Sequence, residues 1–129
     1  MSNKEVAEKY MRAQEKAWQA GNFEALEAIE DPNVVYHILD LNLNGFEEHK
    51  QDIMTRRDSM SNLQQEAVYL TGDGDTFVIS LKEKGKVEKE LPGMPVPVGK
   101  NIAVDALLVA RLEREKVVEV WIKGNVTIT

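Results

Sequence analysis

Beyond Leu63 the chain turns to long segments rich in β-branched residues. There are four in succession, "LQQEAVYLTG", "TFVISLKEK", "NIAVDALLVARL" and "KVVEVWIKGNVTI". Such runs predict strands. The last two segments are joined by "EREK" and form a long ribbon. With Glu113 opposite Lys116, one face gathers Ala106, Leu108, Ala110, Leu112 and Val117, followed by Glu119, Trp121, Lys123 and Asn125. The other gathers Asp105, Leu107, Val109 and Arg111 with Val118, Val120, Ile122 and Val126. Both faces are largely apolar, whereas a sheet with one wet face alternates cleanly. Each face therefore needs cover. A slip of one residue exchanges the lists for one strand.

The first half supplies cover for one face. Ser2 followed by Glu5 is a capping box. Val6, Tyr10, Ala13 and Ala17 then recur at helical spacing, with Met11 and Trp18 adjoining. Gly21 suits a helix end, and Asn22 can cap a shorter helix carrying Phe23, Leu26 and Ile29, which Asp31-Pro32 ends. "VVYHIL" reads as a strand and "DLNLNG" as a turn. "FEEHKQDIMTRRDSM" reads as a third helix, with Phe46, Ile53, Arg57 and Met60 near one stripe. "GDGD" is a hairpin signal, and "ELPGMPVPVGK", with three of the four prolines, is an extended loop. Helices followed by a meander of long strands give an α+β fold. We expect one domain over residues 1–129. The helices suffice for one sheet face, so the other is expected to meet a second copy in a homodimer.

Composition narrows the function. At 129 residues, 43% apolar and 29% charged, the chain can bury an ordinary core. A net charge of −6 argues against nucleic acid and an anionic membrane surface as partners. The absence of cysteine excludes disulfides and thiolate chemistry. "MSNKEVAEKY" is too polar for a signal peptide, and "IAVDALLVA" is too short to span a bilayer, so a cytoplasmic protein is expected. Two histidines twelve residues apart, on different elements, carry no metal-binding spacing. There is no phosphate cradle and no Gly-x-Ser-x-Gly elbow. The expectation is no metal and no cofactor.

A further pattern lies in the order of the motifs. "WQAGNFEAL", "VVYHIL" and "NGFEEHKQDI", followed by "GDGDTFVISLKEKG", "GMPVPVGK" and "LLVARLEREKVVEVW", resemble the SnoaL-like polyketide cyclase and ester cyclase group. That group belongs to the nuclear transport factor two-like superfamily. The resemblance covers nearly the whole chain. It departs in the proline loop, where Val96 separates Pro95 from Pro97 and Val98 replaces a threonine, and at Val87, where relatives often have histidine. It implies a curved antiparallel sheet wrapped around the long first helix, making a cone with an internal pocket, usually in a homodimer.

The resemblance also implies that the Trp121 side of the last strand faces that pocket. Tyr10, Trp18, Trp121, Lys123 and Asn125 are then the candidate ligand-binding residues for a small hydrophobic molecule. Asn125 stands where relatives commonly carry Asp, and an amide cannot exchange a proton near neutrality. His37 and Asp105 are the candidate catalytic residues, because imidazole titrates near neutrality and a buried carboxylate becomes a usable acid. Against these stand plainer readings: His37 and Asp105 as structural groups, and the aromatic residues as core. His49, beside acids in "EEHK", reads as exposed. The activity implied is that of a cofactor-independent acid/base cyclase or isomerase. The alternative is a non-catalytic ligand-binding or dimerisation protein of the same fold.

Overall fold

The first helix, α1 (Asn3–Ala20), starts on the capping box read in the sequence. Glu5 N donates to Ser2 Oγ at 3.1 Å and Ser2 N donates to Glu5 Oε1 at 3.3 Å. Gly21 ends the helix with φ 68°, a left-handed conformation that glycine adopts without steric cost. A short α2 (Glu24–Ile29) follows, its Glu24 N–H capped by Asn22 Oδ1 at 3.1 Å. The structure, a computed structural model, describes residues 1–129.

The remaining elements are β1 (Glu30–Ile38), β2 (Leu41–Asn44), α3 (Phe46–Ser59), β3 (Met60–Asp73), β4 (Thr76–Val87), β5 (Asn101–Glu113) and β6 (Lys116–Ile128). They form one six-stranded sheet in the order β2-β1-β6-β5-β4-β3. All pairings are antiparallel except β1 with β6, which is parallel. The sheet is thus mixed rather than wholly antiparallel. "DLNLNG", read as a turn, contributes the short edge strand β2.

The sheet curves round α1. Val6, Ala7, Tyr10, Ala13 and Ala17 on one stripe of that helix pack against Phe77, Ile79, Leu108 and Ala110 of the concave face in one core. Arg57 Nε on α3 donates to the Trp18 carbonyl at 2.8 Å and ties the two long helices together. The proline-rich loop after β4 closes the far end of the sheet. Val96 packs there in a second small core with Met60, Val87, Leu91 and Ile102. The residue that lengthens this loop is therefore a core residue.

The register of the last ribbon decides which face each side chain takes. Glu113 does oppose Lys116, as expected. The ladder then shifts: Leu112 pairs with Val117 but Arg111 pairs with Glu119, so Val118 has no partner. An extra residue in one strand is a β-bulge, and it reverses the alternation beyond it. Val117, Val120 and Ile122 consequently all point inward and are buried. Glu119, Trp121, Lys123 and Asn125 turn to the convex face, beside Arg111, Val109, Leu107 and Asp105 respectively.

Gly124 lies opposite Ala106, where the two backbones approach closely. A Cβ there would stand 2.1 Å from the Asp105 carbonyl oxygen and 2.5 Å from Ala106 Cα. Backbone cannot step aside as a flexible side chain can. We expect Gly124→Ala to destabilise the fold by about 1–3 kcal/mol, read from the midpoint of urea denaturation.

Candidate functional site

Between α1, α3 and the concave sheet face lies a cavity of about 530 Å³. Of its 24 lining residues 13 are hydrophobic, so it suits a largely apolar occupant. Ile79, Leu81, Leu108 and Ile122 supply the sheet wall, and Met11 and Trp18 the helix wall.

Glu8, Arg12, Glu15 and Gln19 of α1 line it as well, and two further groups of polar side chains stand out. The first is a buried chain that begins at Glu30, the residue that leaves α2 and opens β1. Glu30 is 1% exposed. Tyr36 Oη donates to its Oε2 at 2.5 Å, and His49 Nδ1 lies 3.1 Å from its Oε1. The Tyr36 and His49 rings stack with centroids 3.8 Å apart and 24° between planes. Tyr36 spends its one proton on Glu30, so its oxygen accepts from the Tyr10 hydroxyl, with which it makes a very short contact. Gln14 Nε2 in turn donates to Tyr10 Oη at 2.7 Å and lies 3.1 Å from Tyr36 Oη. The protons run in one direction, from Gln14 through Tyr10 and Tyr36 to the carboxylate.

Burial raises the pKa of both phenols, and the charge of Glu30 raises it further. Both tyrosines stay protonated. Tyr10, Gln14, Tyr36 and His49 line the cavity, with Glu30 behind them.

The second polar place is on β4 and α3. Glu83 accepts from Gln65 Nε2 at 3.2 Å, and Arg56 Nε pairs with Asp52 Oδ2 at 3.2 Å. Burial pushes the Glu83 pKa up, and the nearby Arg56 charge offsets this in part. Glu83 is therefore a carboxyl group disposed to hold a proton beside an apolar cavity.

Of the residues singled out in the sequence, Tyr10 and Trp18 line this cavity. Trp121, Lys123 and Asn125 do not, because the bulge at Val118 places them on the opposite side of the sheet. Trp121 is half-buried on the convex face, stacked on His37 with ring centroids 5.6 Å apart. His37 is there too: its Nε2 lies 2.8 Å from Glu119 Oε2 and its Nδ1 3.0 Å from Asn42 Oδ1. Asp105 is exposed on the same face, opposite Asn125. The structure thus separates both candidate catalytic residues from the cavity. His49, expected in solvent, is 3% exposed and sits at the cavity floor. Its position was readable: it follows Phe46 by three residues and precedes Ile53 by four, which puts all three on one helical face. Glu30 had no such signal, since an acid beside Asp31 at the end of a short helix reads as solvated.

Two outcomes follow for the polar groups. Tyr36→Phe removes the donor that anchors the buried carboxylate and should cost about 1–3 kcal/mol in a denaturant melt. Tyr10→Phe leaves that anchor intact and should cost less. On the convex face, the hydrogen bond to Glu119 raises the His37 pKa above 6.5, and the same bond lowers Glu119 below 4.5. The histidine contribution is complete below pH 6.5 and fades as pH rises through its raised value; the glutamate contribution is lost as pH falls through its lowered value. His37→Gln should therefore lose most stability near about pH 5–6 and converge on wild type by about pH 9, as thermal melts across pH would show. The loss is small, because both side chains are partly exposed.

A family model described as SnoaL-like polyketide cyclase matches residues 8–127. No curated protein matches at a significant level. Among solved structures, TsrD from Streptomyces laurentii has a TM-score of 0.81 at 16% identity, covering 97% of this chain and 92% of that one. A Jannaschia protein assigned to the SnoaL-like polyketide cyclases has a TM-score of 0.79 at 17% identity, covering 97% and 90%. A nuclear transport factor two-like protein of unknown function from Burkholderia pseudomallei has a TM-score of 0.73 at 14% identity, covering 97% and 92%. At these identities the structures speak for the fold alone. The family match spans nearly all of the sequence, and the chain belongs to the SnoaL-like polyketide cyclase family.

Proposed function

We propose that this protein binds a small, largely apolar molecule in the cavity and acts on it by proton transfer without metal or cofactor. The observation that carries this reading is an apolar cavity of about 530 Å³ with ionisable groups at its floor and side wall. His49 is at the floor, with Glu30 behind it and held by Tyr36; Glu83, with its raised pKa, stands on the side. Proton transfer is favoured where such groups meet an apolar substrate away from water.

A second reading, a non-catalytic binder, has one observation in its favour. The hydroxyl protons of Tyr10 and Tyr36 are both directed within the chain of hydrogen bonds, so neither is offered to a developing oxyanion.

Binding can be followed through Trp18, made the sole tryptophan by Trp121→Phe. Addition of naphthol should change its fluorescence saturably. Leu81→Phe, which fills the sheet wall, should weaken that response at least tenfold. A linear, non-saturating response unaffected by Leu81→Phe would remove both readings.

We also infer that the convex face meets a second copy of this chain. Val68, Val78, Leu107, Val109 and Trp121 form an apolar band across four neighbouring strands. Leu107 is 49% exposed and Val68 48% exposed. Apolar patches of this kind mark association surfaces. Leu107→Lys should give a monomer in sedimentation equilibrium where the wild type is a dimer; equal masses would refute the inference.

A further inference from the structure

We propose that His49 is the general base of the cavity and that Glu30 is its positioning residue. The proposal rests on the reading that the cavity takes a small molecule. It goes further by saying which atom receives the proton.

A histidine acts as a base only through a nitrogen that carries no hydrogen and faces the substrate. The surroundings of His49 fix which nitrogen that is. Its Nδ1 lies 3.1 Å from one oxygen of Glu30 and 3.0 Å from the other. A carboxylate accepts but cannot donate, so Nδ1 carries the hydrogen, and in the neutral ring the lone pair is left on Nε2. The same logic sets the tautomer in carboxylate–histidine pairs of hydrolases.

The ring has little freedom to turn. Tyr36 stacks on it at 3.8 Å and also donates to Glu30. The ring and its carboxylate are thus fixed by one residue. On α3, His49 shares the inward face with Phe46 and Ile53, both buried.

His49 Nε2 makes no hydrogen bond within the protein. It is not sealed away either, because the one buried side-chain atom without a partner is Gln14 Oε1. An unpartnered, unsealed nitrogen on a residue that lines the cavity opens to the cavity. Glu83 is the competing base. Burial raises its pKa, an effect that the charge of Arg56 and the hydrogen bond from Gln65 offset in part, and that bond already occupies one of its oxygens.

A nitrobenzisoxazole is a suitable probe, being flat, apolar and a carbon acid. His49 Nε2 would take the ring C–H proton. The freed electron pair becomes the third carbon–nitrogen bond, the N–O bond breaks, and the oxygen leaves as a coloured cyanonitrophenolate. The imidazolium then passes its proton to water. The phenolate and the released proton together account for every atom of the probe, so no other reactant is needed.

Probe binding is measured by Trp18 fluorescence in the Trp121→Phe background, and turnover by phenolate absorbance. His49→Gln should bind the probe as before while kcat falls at least about 100-fold. Glu30→Gln should lower kcat with little change in KM. If His49→Gln binds and turns over like its parent, or if the rate is lost in Glu83→Gln alone, the assignment of the base is wrong. If the parent protein fails to bind the probe, the cavity reading is at fault instead, and chemical modification still decides the base. The chain has two histidines, so His37→Gln leaves His49 as the sole imidazole for diethyl pyrocarbonate, and its adduct is told from those on amines by the site found in peptide mass spectra. His49 should gain one carbethoxy group in the folded protein, read by mass spectrometry. A folded protein that stays unmodified would overturn the proposal without reference to any substrate.

Discussion

A carboxylate placed where water cannot reach it organises this fold. Glu30 stands at the junction of α2 and β1, with Tyr36 and His49 as its hydrogen-bond partners. Those partners come from the middle of β1 and the first turns of α3, and Tyr10 of α1 joins through Tyr36. Four elements therefore meet at one buried charge. Such a charge is tolerable only if its partners are complete, and loss of one hydrogen-bond donor typically costs about 1–3 kcal/mol. The same requirement that holds the helices in register with the sheet also places three polar side chains against the cavity. Stability and site share one set of contacts.

The second organising feature is a single unpaired residue. Val118 interrupts the β5–β6 ladder and lets Val117 and Val120 both enter the core. The strand gains an inward apolar run that strict alternation would not allow. The consequence is that the tryptophan leaves the interior. The outer face then acquires Trp121, His37, Glu119 and Arg111 as a cluster of its own, which suits a surface for association more than a place for chemistry.

Much of the architecture was legible from residue order. The capping box, the α1 stripe, the GDGD hairpin and the helices-then-strands sequence all report local preferences, and local preferences survive folding here. What could not be read was the handedness of each strand's two faces. Alternation in "KVVEVWIKGN" is symmetrical until a bulge is counted, and a bulge leaves no mark in a run of β-branched residues. His37 and Tyr36 are adjacent, so only one can face inward, and the sequence does not say which. His49 could have been found, because its spacing to Phe46 and Ile53 is helical; its charged neighbours concealed it. Glu83 and Arg56 meet only through tertiary packing. The family resemblance pointed to the fold, but the residues that line the cavity had to come from the register.

The central claim is that Glu30 holds the His49 ring with its Nδ1 protonated and its Nε2 free. Nitrogen NMR of labelled protein, with His37 removed by Gln substitution, reads this directly. One histidine signal pair, with a hydrogen-bearing Nδ1 and an unprotonated Nε2, is expected. A ring that carries its hydrogen on Nε2, or exchanges freely between the two forms, would contradict it.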